Sequence, residues 1–528
     1  MTAPTQSSAP EHAVADHRVG PDGTRTPVAR WIAALEACPR QRLVLIVWGI
    51  TVAVLGGVAL YVSSPAHWPI MPSRSTGLRD SLAMLKQGGP LLAGHHGGVG
   101  PLYPVGAGDD VGIYLYLPWL AHVLGVSDPV TLVRDGFAVM FAVAAAFYPM
   151  TLWRLTGSML AALAAPVVML LAVRSLGFTD IYWLPAWASL ALLPPLLVLS
   201  ERHGRYSWIG LVLIALAAGW LNTMRSSSGV GVAIAALVVL LMLRLRWRRT
   251  LSVLAVMVLA YISIGTFALT AIRDHRDHRL GAALSANHPQ SHPFWHPAYL
   301  GLGYLPNNYH IRFLDRIAQE RVQSDAPGTA YLSNKYESAL RKAYFGIVRD
   351  HPFEVLGQYA AKAWVTLADT APYLLIVILT LPALRRLRVK RRLTRWLALL
   401  IPSLLVTFVP TLVAIPLGVY EEGLYGTVGL MAIIGIGFTI AEFSAALQAT
   451  GALRPALASA IRGGAEPSGP PAGPGPRARG AARAVALSVV ALLVLTVSAH
   501  FIRRDAEQWQ HSSSGVLIDR IPAGPTRA

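Results

Sequence analysis

Residues 229–271 read GVGVAIAALVVLLMLRLRWRRTLSVLAVMVLAYISIGTFALTA, and this stretch decides the fold class. Two long apolar runs, at 229–244 and 251–271, flank a short turn that is rich in arginine. Apolar runs of about 20 residues have the length that an α-helix needs to cross a hydrocarbon core. A basic turn between two such runs indicates a cytoplasmic loop, because cytoplasmic loops of membrane proteins carry an excess of Lys and Arg. The stretch therefore predicts a helical hairpin in a membrane.

The same pattern recurs along most of the chain. Of the 528 residues, 54% are hydrophobic and only 14% are charged, whereas a soluble domain carries roughly 25% charged residues. Hydropathy predicts about eleven spans, at 43–62, 131–153, 158–175, 180–200, 207–222, 229–244, 251–271, 364–384, 396–416, 425–447 and 484–500. The predicted fold is an all-α, polytopic transmembrane helix bundle.

The basic loops set the expected orientation. Arginines and lysines cluster at 202–205, 244–249 and 385–395, which predicts that these three loops are cytoplasmic. The N-terminus then lies in the cytoplasm, and two large loops, at about 63–130 and 272–363, face outward. Each large loop contains an amphipathic segment that suits an interfacial helix. The protein is expected in the plasma membrane.

The remaining segments divide the chain further. Residues 1–42 predict a disordered cytoplasmic tail, because the first 40 are rich in Pro, Ser, Thr and charge. The core is 43–447, the Gly/Pro/Ala/Arg-rich stretch 448–483 predicts a flexible cytoplasmic linker, and 484–528 holds the last helix and an outer tail. Arg and Ala are abundant and Lys is scarce, a composition typical of bacterial chains from genomes of high GC content.

Charge and cysteine usage exclude some functions. The net charge of +18 is accounted for by the cytoplasmic loops, so nucleic acid is not an expected partner. The chain has one cysteine, Cys38, which excludes an intrachain disulfide and a zinc site built from cysteines. Membrane lipids are the expected surroundings.

Adjacent carboxylates in the first outer loop are the first candidate site. Asp109 and Asp110 directly precede the segment Val111–Leu124, which is too short to span and rich in aromatic residues. Such a pair can ligate a divalent cation such as Mg²⁺ or Mn²⁺, or one of them can act as a general base. The alternative is that they only cap the helix.

Two further candidates lie at outer ends of predicted spans. Asp180 is followed by Tyr182 and Trp183, a set that suits the binding of a sugar or a polar headgroup. The alternative is that the two aromatic residues belong to the aromatic belt at the membrane interface and that Asp180 caps a helix. Arg225 lies in a tight outward turn, where its guanidinium could bind a lipid phosphate through two parallel hydrogen bonds. Simple snorkelling of Arg225 to water is the alternative.

The second outer loop and the last core span supply the other candidates. Dense aromatic, proline and glycine residues predict a fixed binding surface with His292, Trp295, His296 and Tyr304. His288, His292 and His296 could suggest zinc, but the intervening prolines break any helix that would align them. Glu421 and Glu422 lie at the outer end of a late span, where they contact a substrate or cap a helix.

This arrangement resembles the C-type (GT-C) superfamily of polytopic membrane glycosyltransferases. The resemblance covers residues 43–447 and rests on acids in the first loop, on Asp180 and on Glu421-Glu422. It implies transfer of a sugar from a polyprenyl-phosphate donor to a cell-envelope acceptor at the outer face. In that family a first-loop acid acts as base or metal ligand, and here Asp80 competes with Asp109 and Asp110 for the role. The rivals are a transporter of lipid or polysaccharide precursors and a non-catalytic membrane scaffold.

Overall fold

The computed structural model describes residues 27–63, 72–89, 111–176, 184–201, 207–225, 227–281, 294–386, 390–416, 418–462 and 476–511. All regular structure in these ranges is helical, which confirms the all-α class. The helices are α1 Pro27–Glu36, α2 Gln41–Ser63, α3 Pro72–Lys86, α4 Val111–Leu124, α5 Thr131–Thr156, α6 Met159–Leu176, α7 Leu184–Glu201, α8 Ser207–Met224, α9 Val230–Met242, α10 Trp247–Ile262, α11 Leu269–Leu280, α12 Trp295–Gly301, α13 Asp315–Asp325, α14 Asn334–Asp350, α15 Pro352–Asp369, α16 Ala371–Arg386, α17 Lys390–Val413, α18 Gly418–Arg462 and α19 Pro476–His511. A π-helical segment, Ser263–Ala268, joins α10 to α11.

Several of these helices can cross a membrane. Within the described ranges, seven are long and apolar enough by themselves, and an eighth span arises if α15 and α16 count as one. Those two helices meet at a bend of 61°. Two predicted spans correspond to shorter apolar helices, Met159–Met169 and Val230–Met242. The chain is therefore a multi-pass helical protein by length and composition, with fewer qualifying helices than the eleven spans that hydropathy predicted.

Close contacts fix how the helices run. The position of a Cβ on Gly49 of α2 would lie 2.7 Å from the carbonyl oxygen of Ala146 on α5, so only glycine allows these two helices to come so near. Helices α7 and α18 are equally close, because a Cβ on Gly426 would lie 2.5 Å from the carbonyl oxygen of Ala186. Both α7 and α18 begin near this contact and therefore run in the same direction.

The bundle has two ends, which we name after a glutamate at each. The Glu36 end holds the last residue of α1, the first turn of α6 and Ser444 of α18, which are joined by hydrogen bonds. The Glu421 end holds the first turns of α7 and α18 and the last turn of α17. Helix α18 runs from one end to the other.

Two predicted irregular segments contain helix. Helix α1 lies within 1–42, where the composition predicts a disordered tail. It is amphipathic, and the buried side chain of Ile32 shows that it packs on the bundle rather than extending from it. Helix α18 continues to Arg462 and α19 begins at Pro476, so much of the predicted linker 448–483 is helical as well.

The described parts of the two large loops contain several helices. Helices α3 and α4 belong to the first loop, and α4 has the bounds that the sequence predicted for a short interfacial helix. Helices α12, α13 and α14 belong to the second loop and share an apolar core that includes Leu300, Val322 and Leu340. Pro352 opens α15 in its first turn, as expected from the fixed backbone angle of proline.

Candidate functional site

Two adjacent glutamates open α18 in a buried position. Glu421 is 2% exposed and Glu422 is 4% exposed. The hydroxyl of Tyr425, one turn later, donates a 2.7 Å hydrogen bond to Oε2 of Glu421. The other oxygen, Oε1, is buried and has no hydrogen-bond partner among the described residues. A buried carboxylate oxygen without a donor is costly for folding, so it marks a position that warrants a functional explanation.

An ion pair lies beside these glutamates at the bend between α15 and α16. Asp369, the last residue of α15, is paired with Arg503 of α19. The Asp369 carboxylate also interacts electrostatically with Glu421. Two carboxylates satisfy each other only when they share a proton, so this contact does not replace a donor for Oε1 of Glu421. We call Asp369, Glu421, Tyr425 and Arg503, together with Tyr304, the carboxylate cluster.

Tyr304 enters the cluster from the second large loop. Its hydroxyl is buried without a hydrogen-bond partner among the described residues. Burial raises the pKa of Tyr304; Arg503 opposes this shift, while the nearby carboxylates of Asp369 and Glu421 increase it. Tyr304 is therefore a protonated hydroxyl at neutral pH, and it can donate a hydrogen bond to a ligand oxygen.

The segment that carries Tyr304 is held in place from two sides. The side-chain amide of Gln358 on α15 makes hydrogen bonds with both the N–H and the C=O of Leu305, at 2.7 and 3.0 Å. The side chain of Gln510 on α19 donates to the carbonyl of Gly303 at 2.7 Å and accepts from the N–H of Phe313 at 3.0 Å. An irregular segment bonded in this way is a rigid support for Tyr304 rather than a mobile loop.

A buried lysine joins the same segment to the bundle. Lys362 on α15 is fully buried. Its ammonium donates to the carbonyls of Gly301 and Ala414, at 3.1 Å each, and to that of Leu412. Gly301 ends α12, Leu412 lies in the last turn of α17, and Ala414 directly follows that helix. The dipole at the C-terminal end of a helix favours a cation. All three donors of the ammonium are used, so Lys362 has a structural role.

Trp295 and His296 lie in a different cluster, inside the second loop. His296 Nδ1 contacts the Tyr336 hydroxyl at 3.0 Å, and its Nε2 contacts Asp315 at 3.1 Å. The carboxylate of Glu337 accepts hydrogen bonds from the backbone N–H groups of Trp295 and His296. Burial raises the pKa of Tyr336, so its hydroxyl is a poor nucleophile. The described contacts of His296 stabilise the loop and do not form a metal site.

Arg225 directly follows α8 at the Glu421 end. Its side chain is buried. The first turn of α4 lies against the same end of α8, because a Cβ on Gly112 would lie 2.6 Å from backbone atoms of Thr223. The methyl group of Thr407 contacts both Gly231 at the start of α9 and Gly423 at the start of α18. Arg225 and the two glutamates therefore belong to the same end of the bundle.

The other predicted site residues have different outcomes. Asp80 is half-buried on α3, next to an ion pair between Arg79 and Asp128. Six predicted residues lie outside the described ranges: Asp109, Asp110, Asp180, Tyr182, Trp183 and His292. Their roles remain predictions.

Sequence reasoning missed Asp369 and Arg503, and it noted Tyr425 after the two glutamates without making it a site residue. Asp369 lies within the predicted span 364–384, and a charged residue in an apolar run is a functional signal that could have identified it. Tyr425 is four residues after Glu421, a spacing that places both on one helix face. For Arg503 the sequence carries no signal of a partner more than a hundred residues away.

Within the described residues, no group of three or more His, Cys, Asp or Glu side chains could hold a metal ion. No protein-family model, curated protein or solved structure matches this chain.

Proposed function

We propose that this chain is a glycosyltransferase of the plasma membrane that moves a sugar from a polyprenyl-phosphate donor to a cell-envelope acceptor. The observation that carries the proposal is the carboxylate cluster. A buried glutamate with an unsatisfied oxygen and a half-buried ion pair meet at one end of a membrane helix bundle, beneath a folded loop. A catalyst that works at a membrane surface needs its polar groups at one end of the bundle rather than across its middle.

The basic loops supply the orientation. Helix α9 begins beside Thr407 at the Glu421 end, so it ends at the opposite end, next to the arginines of 244–249. Under the charge rule that end is cytoplasmic, and the Glu421 end faces outward. About eleven spans with a cytoplasmic N-terminus fit this arrangement.

The proposed reaction is displacement at the anomeric carbon of the donor sugar. The acceptor hydroxyl oxygen forms a bond to that carbon, and the bond between the carbon and the phosphate oxygen breaks, with its electron pair leaving on the phosphate. Asp109, Asp110 or Asp80 takes the proton of the acceptor hydroxyl. Arg225 binds the departing lipid phosphate. A divalent cation on Asp109 and Asp110 would supply further charge stabilisation there.

The carboxylate cluster has a matching role in sugar binding. A sugar hydroxyl donates one hydrogen bond and accepts others. It can donate to Oε1 of Glu421 and accept from the hydroxyl of Tyr304, and so satisfy the two buried atoms that lack partners. Tyr182 and Trp183 are the proposed aromatic surface for the sugar ring, with His292 and Glu422 beside them. Trp295 and His296, which the sequence also predicts at this surface, lie in the separate cluster of the second loop and support it instead.

The test is conversion of a lipid-linked sugar by membranes that contain the protein. Asp109, Asp110 and Asp80 are changed singly to Asn, which removes the charge but still caps a helix. Loss of a general base lowers turnover by about 10²–10⁴-fold. Asp325→Asn is the matched control, because Asp325 forms an exposed pair with Arg321 in the second loop. Unchanged turnover in all three test variants would remove the carboxylate base from the mechanism.

A transporter of lipid-linked precursors is the second candidate, and one observation favours it. The helices α15 and α16 form a broken span, and the charged pair of Asp369 and Arg503 lies at the break. Broken helices with polar groups at the break are typical of transporters. Movement of the labelled lipid across vesicles that contain the purified protein, without any covalent change to the sugar, would support this candidate and contradict the transferase.

A further inference from the structure

Helix α15 has an unusual distribution of side chains. Its exposed residues are all apolar, whereas its buried residues include polar and charged ones. The buried set contains Gln358, Lys362 and Thr366. Gln358 and Lys362 make hydrogen bonds to backbone groups of the second loop. The exposed stripe follows helical spacing and consists of Phe353, Leu356, Gly357, Ala360, Trp364 and Leu367. A helix on the surface of a soluble domain has the opposite arrangement.

The stripe is strongly exposed at its beginning. Phe353 is 87% exposed and Leu356 is 64% exposed. Immediately before it, Arg349 forms an ion pair with Asp350 and is 80% exposed, as expected for residues in water. The chain therefore changes from charged to wholly apolar exposure between Asp350 and Phe353. Such a change within three residues is what a boundary between water and lipid produces.

We propose that the exposed stripe of α15 lies among the hydrocarbon chains of the lipid leaflet at the Glu421 end. Helices α15 and α16 together are long and apolar enough to form one membrane span. The 61° bend makes α15 run obliquely through this leaflet instead of along the direction of α16. The lipid chains cover the apolar stripe, and the polar face of α15 then faces the protein, where Gln358 and Lys362 support the second loop.

Lipid surroundings also account for the position of the carboxylate cluster. The stripe ends at Leu367, two residues before Asp369. A lipid-linked substrate could place its chain along α15 while its polar group reaches Asp369 and Arg503. The lipid contact itself does not depend on the proposed reaction, because it rests on the exposed residues of α15 alone.

The test uses spin labels on single cysteines. Cys38 is the one native cysteine, so Cys38→Ser gives a background without thiols. Labels are attached to Leu356→Cys, Ala360→Cys, Trp364→Cys and Leu367→Cys in nanodiscs of phosphatidylcholine and phosphatidylglycerol. Collision rates are then measured with oxygen, which concentrates in lipid, and with a water-soluble nickel chelate.

Two further labels provide references in the same protein. Leu55→Cys lies on the exposed face of the span helix α2 and reports lipid. Arg316→Cys lies on α13 with a side chain that is 77% exposed and reports water. We expect all four α15 labels to prefer oxygen, as Leu55→Cys does. Preference for the nickel chelate at any of them overturns the proposal. Poor access for both reagents also overturns it, because a protein surface, such as a second copy of this chain, would then cover the stripe.

Discussion

Each end of the bundle contains a glutamate, half-buried Glu36 at one and buried Glu421 at the other, and the two differ in how they are satisfied. At one end, Glu36 accepts hydrogen bonds from the Ser158 hydroxyl and the Met159 N–H at 2.7 Å each, and from the Leu160 N–H and the Ser444 hydroxyl at 3.3 Å each. At the other end, Glu421 accepts one bond, from Tyr425, and its Oε1 lacks a donor among the described residues.

This difference indicates that Glu36 caps a helix, whereas Glu421 belongs to a binding site. The Glu36 carboxylate occupies the first turn of α6, where N–H groups have no partner within the helix and the helix dipole favours a negative charge. Its bonding capacity is used by the protein itself. Glu421 is held near a second carboxylate and an arginine, with capacity left for a ligand. The comparison predicts that changes at the Glu36 end affect stability, whereas changes at the Glu421 end affect activity too.

Lys362→Met tests the support of the Glu421 end and has the largest expected effect. Methionine keeps the apolar stem but leaves the carbonyls of Gly301, Leu412 and Ala414 without their donor. An unsatisfied buried acceptor costs about 1–3 kcal/mol, so the total is about 3 kcal/mol or more. We expect a lower midpoint of thermal unfolding in detergent and faster chymotrypsin cleavage in 294–350.

Lys335→Met is the control for this prediction. Lys335 is exposed on α14 in the same loop, and an exposed substitution away from a specific contact changes stability by less than about 0.5 kcal/mol. Equal unfolding midpoints for Lys362→Met and the wild-type protein would show that the three carbonyl contacts do not hold the loop.

Glu421→Gln tests the proposed sugar contact against its counterpart at the other end. Glutamine keeps the shape but offers one acceptor oxygen where the carboxyl group offers two, so either Tyr425 or the substrate loses a hydrogen bond to this side chain. A buried partner left unsatisfied costs about 1–3 kcal/mol, or roughly a 5- to 150-fold drop in sugar transfer. Glu36→Gln removes a carboxylate at the opposite end, and we expect transfer per folded molecule to be unchanged. A similar drop in both variants would contradict the assignment of cap and site.

Glu36→Ala measures the cap itself. Loss of the carboxylate leaves the first N–H groups of α6 without partners, and loss of a helix cap costs about 0.5–2 kcal/mol. We expect a lower unfolding midpoint, with α1 released from α6 and α18 and more easily cleaved by trypsin. Glu442→Ala is the control, because Glu442 lies near the same end of α18 and has no hydrogen bond to α1 among those described. A larger loss for Glu442→Ala would show that the Glu36 contacts contribute little.

Hydropathy located the helices well because it reports a local property. The predicted runs 207–222 and 229–244 correspond closely to α8 and α9. Hydropathy carries no information on how a span bends. The run 364–384 is predicted as one span, and the structure shows that it covers the bend between α15 and α16. Helix α1 was missed because its tail is polar in composition, although Trp31, Ile32 and Leu35 have helical spacing.

The site was less predictable than the fold. Glu421 and Tyr304 were identified from their outer positions, but their shared cluster depends on the pairing of Asp369 with Arg503, from separate helices. Likewise, Trp295 and Tyr304 are close in sequence and belong to different apolar clusters. Sequence spacing predicts contacts along one helix, and it carries no information on which distant helices meet.

Arg79→Ala in the first large loop has the smallest expected effect. Arg79 makes two hydrogen bonds to Asp128, at 3.1 and 3.2 Å, and the pair is largely exposed. Partial burial acts to raise the pKa of Asp128, but Arg79 and the N–H of Val130 outweigh it, so the pKa is lowered. An exposed pair of this kind stabilises by about 0–1 kcal/mol and is weakened by salt.

The sign of the pH dependence follows from that lowered pKa. The pair stabilises the folded protein at pH values above the ordinary pKa of an Asp side chain, where Asp128 is ionised in both the folded and the unfolded chain. The contribution is lost as the pH falls through the lower pKa of the folded state, because the proton then neutralises the partner of Arg79. We therefore expect the unfolding midpoints of Arg79→Ala and the wild-type protein to differ slightly at pH 7 and low salt, and to converge once the pH is below the lowered pKa of Asp128 or in 1 M salt. A difference that persists under both conditions would mean that Arg79 contributes through packing of its stem on α3 rather than through its charge.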